Sequence, residues 1–177
     1  MRAFGKSDAW IKTQMIARSA LISDCGKYRY HLQRTLYEGG PQLCFIMLNP
    51  STADGVLDDA TIRICKGRQL KMGYGGIDIV NLFAYRSTDP ARLYEVPHPI
   101  SEPEAMSKND VYIETYARAA KMVICAWGRH GILHERGRIV LSALRKWNVQ
   151  PYALRLNKDG SPAHPLRIGY DQQPFPF

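Results

Sequence analysis

Leu43-Cys44-Phe45-Ile46-Met47-Leu48-Asn49-Pro50-Ser51-Thr52-Ala53-Asp54 is the stretch that decides the fold. Six apolar residues run without a break into Asn-Pro and a series of turn formers. A short apolar run of this kind is the pattern of a strand buried on both faces of an α/β sheet. The polar turn that follows without a spacer places a shaped loop at the strand's carboxyl end, where open α/β sheets bind their ligands.

Two further runs repeat the pattern. Ile77-Asp78-Ile79-Val80-Asn81-Leu82-Phe83 reads as a second buried strand, ending in the polar loop Tyr85-Arg86-Ser87-Thr88-Asp89-Pro90. Met122-Val123-Ile124-Cys125-Ala126-Trp127 reads as a third, stopped by Gly128. Helical patterns separate them. Asp58 and Asp59 open a helix over about residues 60–72, and either can cap it; Gly73 fits its end. Helices are also expected over about 104–120 and 131–147, a last strand over 151–156, and an irregular tail over 161–177. Residues 8–19 read as weakly helical. Tyr28 to Leu32 alternate as a strand after the turn Ser23-Asp24-Cys25-Gly26, which predicts a β-hairpin over about 20–40 feeding the central strand. Residues 91–103, broken by prolines, form a long irregular connection.

Strands alternating with helices imply right-handed crossovers and a mainly parallel sheet. The expected architecture is α/β, a three-layer α/β/α sandwich in one domain with its core over about 42–168. That topology gathers four segments at one sheet edge: Asn49–Asp54, Asn81–Asp89, Trp127–His130 and Ser161–Arg167.

Composition sets the bounds. The 177 residues are 45% hydrophobic, enough for a genuine core. No apolar run approaches the ~20 residues needed to span a bilayer. No apolar stretch follows Arg2, so a cytoplasmic protein without a secretory leader is expected. The widely spaced Cys25, Cys44, Cys65 and Cys125 form no Cys-x-x-Cys pair and read as reduced thiols rather than a zinc site. No cofactor is called for. The net charge is +8, from 24 Lys and Arg against 16 Asp and Glu. The excess is concentrated at Arg63, Lys66, Arg68 and Lys71 and again between Arg129 and Lys146. Such a field suits a polyanion, or is simply a solvated basic surface.

The four edge segments, read in order, resemble the uracil-DNA glycosylase superfamily. Leu48-Asn49-Pro50-Ser51 is similar to its first motif, Val80-Asn81-Leu82 to its middle strand, Ala126-Trp127-Gly128 to its late strand, and His164-Pro165 to its His-Pro motif. The whole chain resembles domain-of-unknown-function family 1643, found in bacteria and phage. The residues that carry this are Tyr28-Arg29-Tyr30, Leu48 to Ala53, Asp58 to Arg63, Asn81 to Arg86, Ala126-Trp127-Gly128 and Lys158-Asp159-Gly160 before His164-Pro165.

The superfamily resemblance implies hydrolysis of a nucleobase N-glycosidic bond in DNA, a modified base included. On that reading Asn49 positions a water beneath the sugar. His164 donates to the departing base, as stabilisation of a developing anion. Asn81 reads a base edge with its donor and acceptor. Pro50 and Ser51 wall the base site, and Phe83 or Tyr85 stacks on an extracted base. Arg63, Arg86, Arg129, His130, Arg136, Arg138 and Arg167 hold phosphates. Asp54, Asp58 and Asp59, absent from the glycosylase motifs, supply a general base or ligate Mg²⁺. Each residue also has a plainer role: Asn49 shapes a turn, Asn81 binds backbone at a strand end, His164 is structural, Phe83 and Trp127 belong to the core, and Asp58 and Asp59 cap the helix. Leu166-Arg167-Ile168 replaces the superfamily's duplex-wedging loop, so single-stranded DNA and a free nucleotide are both open as partners. A non-catalytic nucleic-acid or nucleotide-binding module and an aspartate-dependent nucleotide- or sugar-processing enzyme are the alternatives.

Overall fold

The computed structural model describes residues 16–105 and 108–177. Among these the fold is α/β, with a seven-stranded mixed sheet and three helices. The strands are β1 (Ala17–Ile22), β2 (Arg29–Thr35), β3 (Gln42–Met47), β4 (Gly76–Asn81), β5 (Met122–Ala126), β6 (Pro151–Ala153) and β7 (Phe175–Pro176). The helices are α1 (Ala60–Lys71), α2 (Lys108–Ala119) and α3 (Arg136–Lys146). The sheet order is β1-β2-β4-β3-β5-β6-β7.

The opening stretch is β3, at the centre. It pairs in parallel with β4 on one side and β5 on the other, and β5 pairs in parallel with β6. The edges differ from expectation: β1, β2 and β7 all join antiparallel. The expected mainly parallel sheet is therefore mixed, because a hairpin and a C-terminal strand extend the parallel core. In chain order the hairpin leads into the central β3, as expected, while in the sheet β2 pairs with β4.

Alternation along β3 divides the core. Leu43, Phe45 and Met47 cluster with Ile77 and Ile79 of β4 and with Ile62 and Cys65 of α1. Cys44, Ile46 and Leu48 cluster with Ile113 and Ala117 of α2 and with Val140 and Leu144 of α3. An apolar run with no polar face is what a strand buried on both sides requires. Burial also pushes the thiols of Cys44, Cys65 and Cys125 upward in pKa, which keeps them protonated and unreactive.

Local rules place α1. Asp59 is its N-cap, accepting from Ile62 N at 2.9 Å, and Gly73 turns the chain out at φ +76°. Three other expected elements differ. Residues 17–19, read as helix, belong to β1, while the rest of that stretch before Ile16 lies outside the described residues. Residues 103–105 form a 3-10 turn ahead of α2, which begins at Lys108. The helix expected from 131 starts at Arg136, because His134 and Glu135 both hold positive φ, 50° and 54°, and break the chain into a 3-10 turn and a helix.

A bulge in β2 has consequences for the site. Leu21 faces His31 but Ile22 faces Arg29, so Tyr30 is one residue too many. A bulge re-aims the side chains that follow it. Here it leaves Tyr30 and His31 beside α2, where they meet Tyr112 and Tyr116. Arg29 is turned to the carboxyl edge of the parallel strands, where it donates to Ala53 O at 2.6 Å.

Candidate functional site

The carboxyl edge of β3, β4 and β5 opens into a crevice of about 510 Å³. All four expected segments reach it: Asn49 and Ser51, Ser87 and Thr88, Trp127 to His130, and Ala163 to Arg167 apart from Pro165. The loops after β3 and β4 are clamped together at its wall. Ser87 N donates to Pro50 O at 2.9 Å, and Asn49 Nδ2 donates to Ser87 O at 2.8 Å and to Pro50 O at 3.1 Å. Two carbonyl acceptors fix which end of the amide is nitrogen. Asn49 Oδ1 is thereby left without a donor among the described residues, beside the crevice.

The aspartate cluster separates into three roles. Asp59 lines the crevice while capping α1. Asp54 lies off it, accepting from Val56 N at 2.7 Å and Leu57 N at 2.8 Å, and these bonds hold its carboxyl below the usual range. Asp58 lies off it too, paired to Arg34 Nε and Lys66 Nζ at 2.7 Å each. Their donors lower the basicity of both Asp54 and Asp58, and neither lines the crevice, so the geometry favours Asp59 over them as a base. Nor do the three share an ion. Among the described residues, no three His, Cys, Asp or Glu side chains are grouped to hold a metal.

His164 lines the crevice and precedes a 3-10 turn. Its Nδ1 accepts from Leu166 N at 3.4 Å, which leaves Nε2 as the protonated nitrogen of the neutral ring. Desolvation lowers its pKa, against a pull upward from Asp59. The ring is therefore a neutral donor near neutral pH.

Several expected residues are elsewhere. Phe83 is 0% exposed inside the core and offers no stacking face. Arg136 is buried, paired to Asp110 and donating to Leu82 O, so it reaches no ligand. Arg63 donates to Asp58 O, and the exposed Arg138 pairs with Glu135; neither lines the crevice. Pro50 is buried behind the wall. Asn81 is fully buried at the end of β4, paired in register with crevice-lining Met47, and both ends of its amide lack a partner among the described residues. Tyr85 and Arg86 line an adjoining trough. Arg129, His130 and Arg167 do line the crevice.

Sequence reasoning missed the deepest cation. Arg29 lines the crevice at 1% exposure, and burial pushes its pKa down to about 10, opposed by Asp59. It stays charged at neutral pH. An arginine between tyrosines in a strand was its only signal. Arg155, from the chain after β6, was missed as well. Arg29, Arg129, Arg155 and Arg167 thus face a single lining carboxylate, Asp59.

Trp127 is both core and wall: it is buried among Leu48 and Leu144 and also lines the crevice. Two glycines hold it. A Cβ on Gly131 would lie 2.3 Å from Trp127 Cδ1, and one on Gly137 would lie 2.9 Å from Nε1. Gly131→Ala must therefore push the indole off its seat. We expect a loss of about 1–3 kcal/mol in urea unfolding and a shifted tryptophan emission. An unshifted spectrum with wild-type stability would show that the contact is soft.

No curated protein and no solved structure matches the chain. A family model does, over residues 29–166. The match begins at the buried crevice arginine and ends at the turn beside His164, so the chain, crevice included, belongs to the family described as a protein of unknown function, DUF1643.

Proposed function

We propose that this protein hydrolyses a nucleobase N-glycosidic bond in DNA, on a three-layer fold of the uracil-DNA glycosylase kind. The observation that carries the reading is the meeting of Asn49, Asp59 and His164 around one cationic crevice. Breaking an N-glycosidic bond leaves a cation-like sugar and an anionic base. Asn49 Oδ1, its nitrogen end occupied, orients a water as acceptor. Asp59 takes the water's proton as general base. His164 donates from Nε2 to the departing base, and the arginine field favours that anion. Asn81, 0% exposed and outside the crevice lining, reads a base only if Met47 gives way, although both ends of its amide lack a partner among the described residues. The core clusters on both faces of the sheet support the three-layer reading.

One observation favours a second reading. Asp59 already serves α1 as a cap. If that is its whole role, the crevice binds nucleic acid without turnover.

The test uses oligonucleotides carrying uracil, mismatched bases or hypermodified bases, followed by alkaline cleavage at abasic sites. We expect abasic product from at least one, lost in Asn49→Ala. Salt-dependent binding with no product from any substrate would favour the binding module.

A further inference from the structure

The crevice does not end at its mouth. A trough of about 370 Å³ adjoins it, lined by Gly26, Lys27, Tyr85 and Arg86, and Ser51, Ser87 and Thr88 belong to both walls. These three residues form a saddle between two depressions. The saddle is rigid, because the bonds between Asn49, Pro50 and Ser87 clamp its two loops.

An arginine stands on each side. Arg29, on the crevice side, gives Nη1 to Ala53 O, and its buried Nε has no partner among the described residues. Arg86, on the trough side, gives Nη1 to Gly26 O at 3.1 Å, and its buried Nε likewise has none. Neither forms an ion pair among the described residues. They are brought close by the backbone. Arg29 N donates to Ala84 O and Arg86 N to Lys27 O around the bridge Tyr28–Tyr85. With both tyrosines on one face of that short ladder, alternation turns the two arginines to the other. Arg86 lowers the affinity of Arg29 for its proton, as a like charge does.

Two guanidiniums on one face of the ladder, Arg29 buried and Arg86 half-buried, with no ion pair of their own among the described residues, suit an anion that joins them. An arginine fork matches a phosphate group by geometry. The saddle adds hydroxyls: those of Ser51 and Thr88 make no hydrogen bond among the described residues.

We infer that the saddle Ser51–Ser87–Thr88, flanked by Arg29 and Arg86, binds an internucleotide phosphate of single-stranded DNA. One base enters the crevice and its neighbour lies in the trough. The inference rests on the crevice being a base site, as proposed above. It narrows the ligand: a free nucleotide fills only the crevice, and paired bases cannot part into two depressions without melting.

The experiment is fluorescence anisotropy with a labelled single-stranded 12-mer, the same sequence as duplex, and a nucleoside monophosphate as competitor. The single strand binds at least about ten-fold tighter than duplex. Arg86→Met weakens the single strand by about ten-fold and lowers the salt slope by about 0.7. Its competition by the monophosphate is unchanged. Thr88→Glu, at an exposed position, sets a negative charge against the phosphate and gives the same loss without touching the core. Equal affinity for duplex, or wild-type binding by both variants, overturns the inference. Single-strand binding that depends on Arg86 without any abasic product leaves the saddle standing and removes the hydrolase reading. Abasic product with binding indifferent to both variants does the reverse.

Discussion

On the proposed hydrolytic mechanism, Asp59→Asn is expected to cut turnover steeply and leave the protein folded. Asn caps a helix about as well as Asp, so the bond to Ile62 N survives and stability changes by only a few tenths of a kcal/mol. What is lost is the carboxylate. Removing a general base lowers the rate by about 100- to 10,000-fold. Asp59→Ala separates the two roles from the other side: it loses the rate and also about 1 kcal/mol of helix capping. Single-turnover formation of abasic sites and urea unfolding, run on both variants, read the two effects independently. An Asp59→Asn protein that turns over at the wild-type rate would reduce Asp59 to a cap. The same measurement on Asp54→Asn serves as control, since that carboxylate is tied to Val56 N and Leu57 N away from the crevice.

The distinction among the three aspartates shows what a sequence conceals. Within six residues they look equivalent, and their proximity in the chain suggested a shared site. Their partners decide otherwise. Arg34, on β2, is 24 residues from Asp58, and it takes Asp58 away from the crevice. Pairings at that separation leave no local pattern. Arg29 was hidden for a related reason: its direction depends on the bulge at Tyr30, and a bulge appears in the register between strands rather than in the composition of one. The start of α3 was obscured because His134 and Glu135 take left-handed conformations that glycine or asparagine would have signalled.

What was legible followed from strong local rules. The run Leu43–Leu48 has no polar face, which leaves a central strand as its place. Asn49-Pro50 ends it abruptly, and Asp59 and Gly73 bracket α1 by capping chemistry alone. Once β3, β4 and β5 lie parallel, their carboxyl ends must share an edge, and the four segments meet there as expected. Topology therefore located the crevice, while long-range pairing chose which side chains face it. Asn49 illustrates both: its position followed from the strand, but the orientation of its amide depends on Ser87, 38 residues away.

Asp58→Ala is expected to be the most destabilising single change at this edge, by about 3–5 kcal/mol, because it strands a buried charge. Arg34 is 0% exposed, and Asp58 is its only carboxylate among the described residues. Its other donors go to carbonyls, Nη2 to Asp54 O at 2.6 Å and Leu57 O at 3.2 Å, and Nη1 to Gln33 O at 2.8 Å. Without Asp58 the guanidinium keeps those bonds and loses its counter-charge. For a domain whose total stability is about 5–15 kcal/mol, that is a large share. The effect carries a pH signature. Burial acts to raise the Asp58 pKa, but the hydrogen bonds from Lys66 and Arg34 outweigh it and the net shift is downward. A carboxyl depressed in the folded state contributes stability above its unfolded pKa of about 3.9, and loses it as pH falls through the lower folded value. Urea unfolding at about pH 7 should therefore show the full gap between wild type and Asp58→Ala, and the gap should narrow toward about pH 3. A gap that stays constant across that range would assign the loss to packing rather than to charge. The consequence reaches the crevice, because Arg34 also holds the loop carbonyls of Asp54 and Leu57 on the way to Asp59. Asp58→Ala should thus lower turnover through a loosened loop, whereas Asp59→Asn lowers it with the loop intact, and amide hydrogen exchange over residues 54–58 tells the two apart.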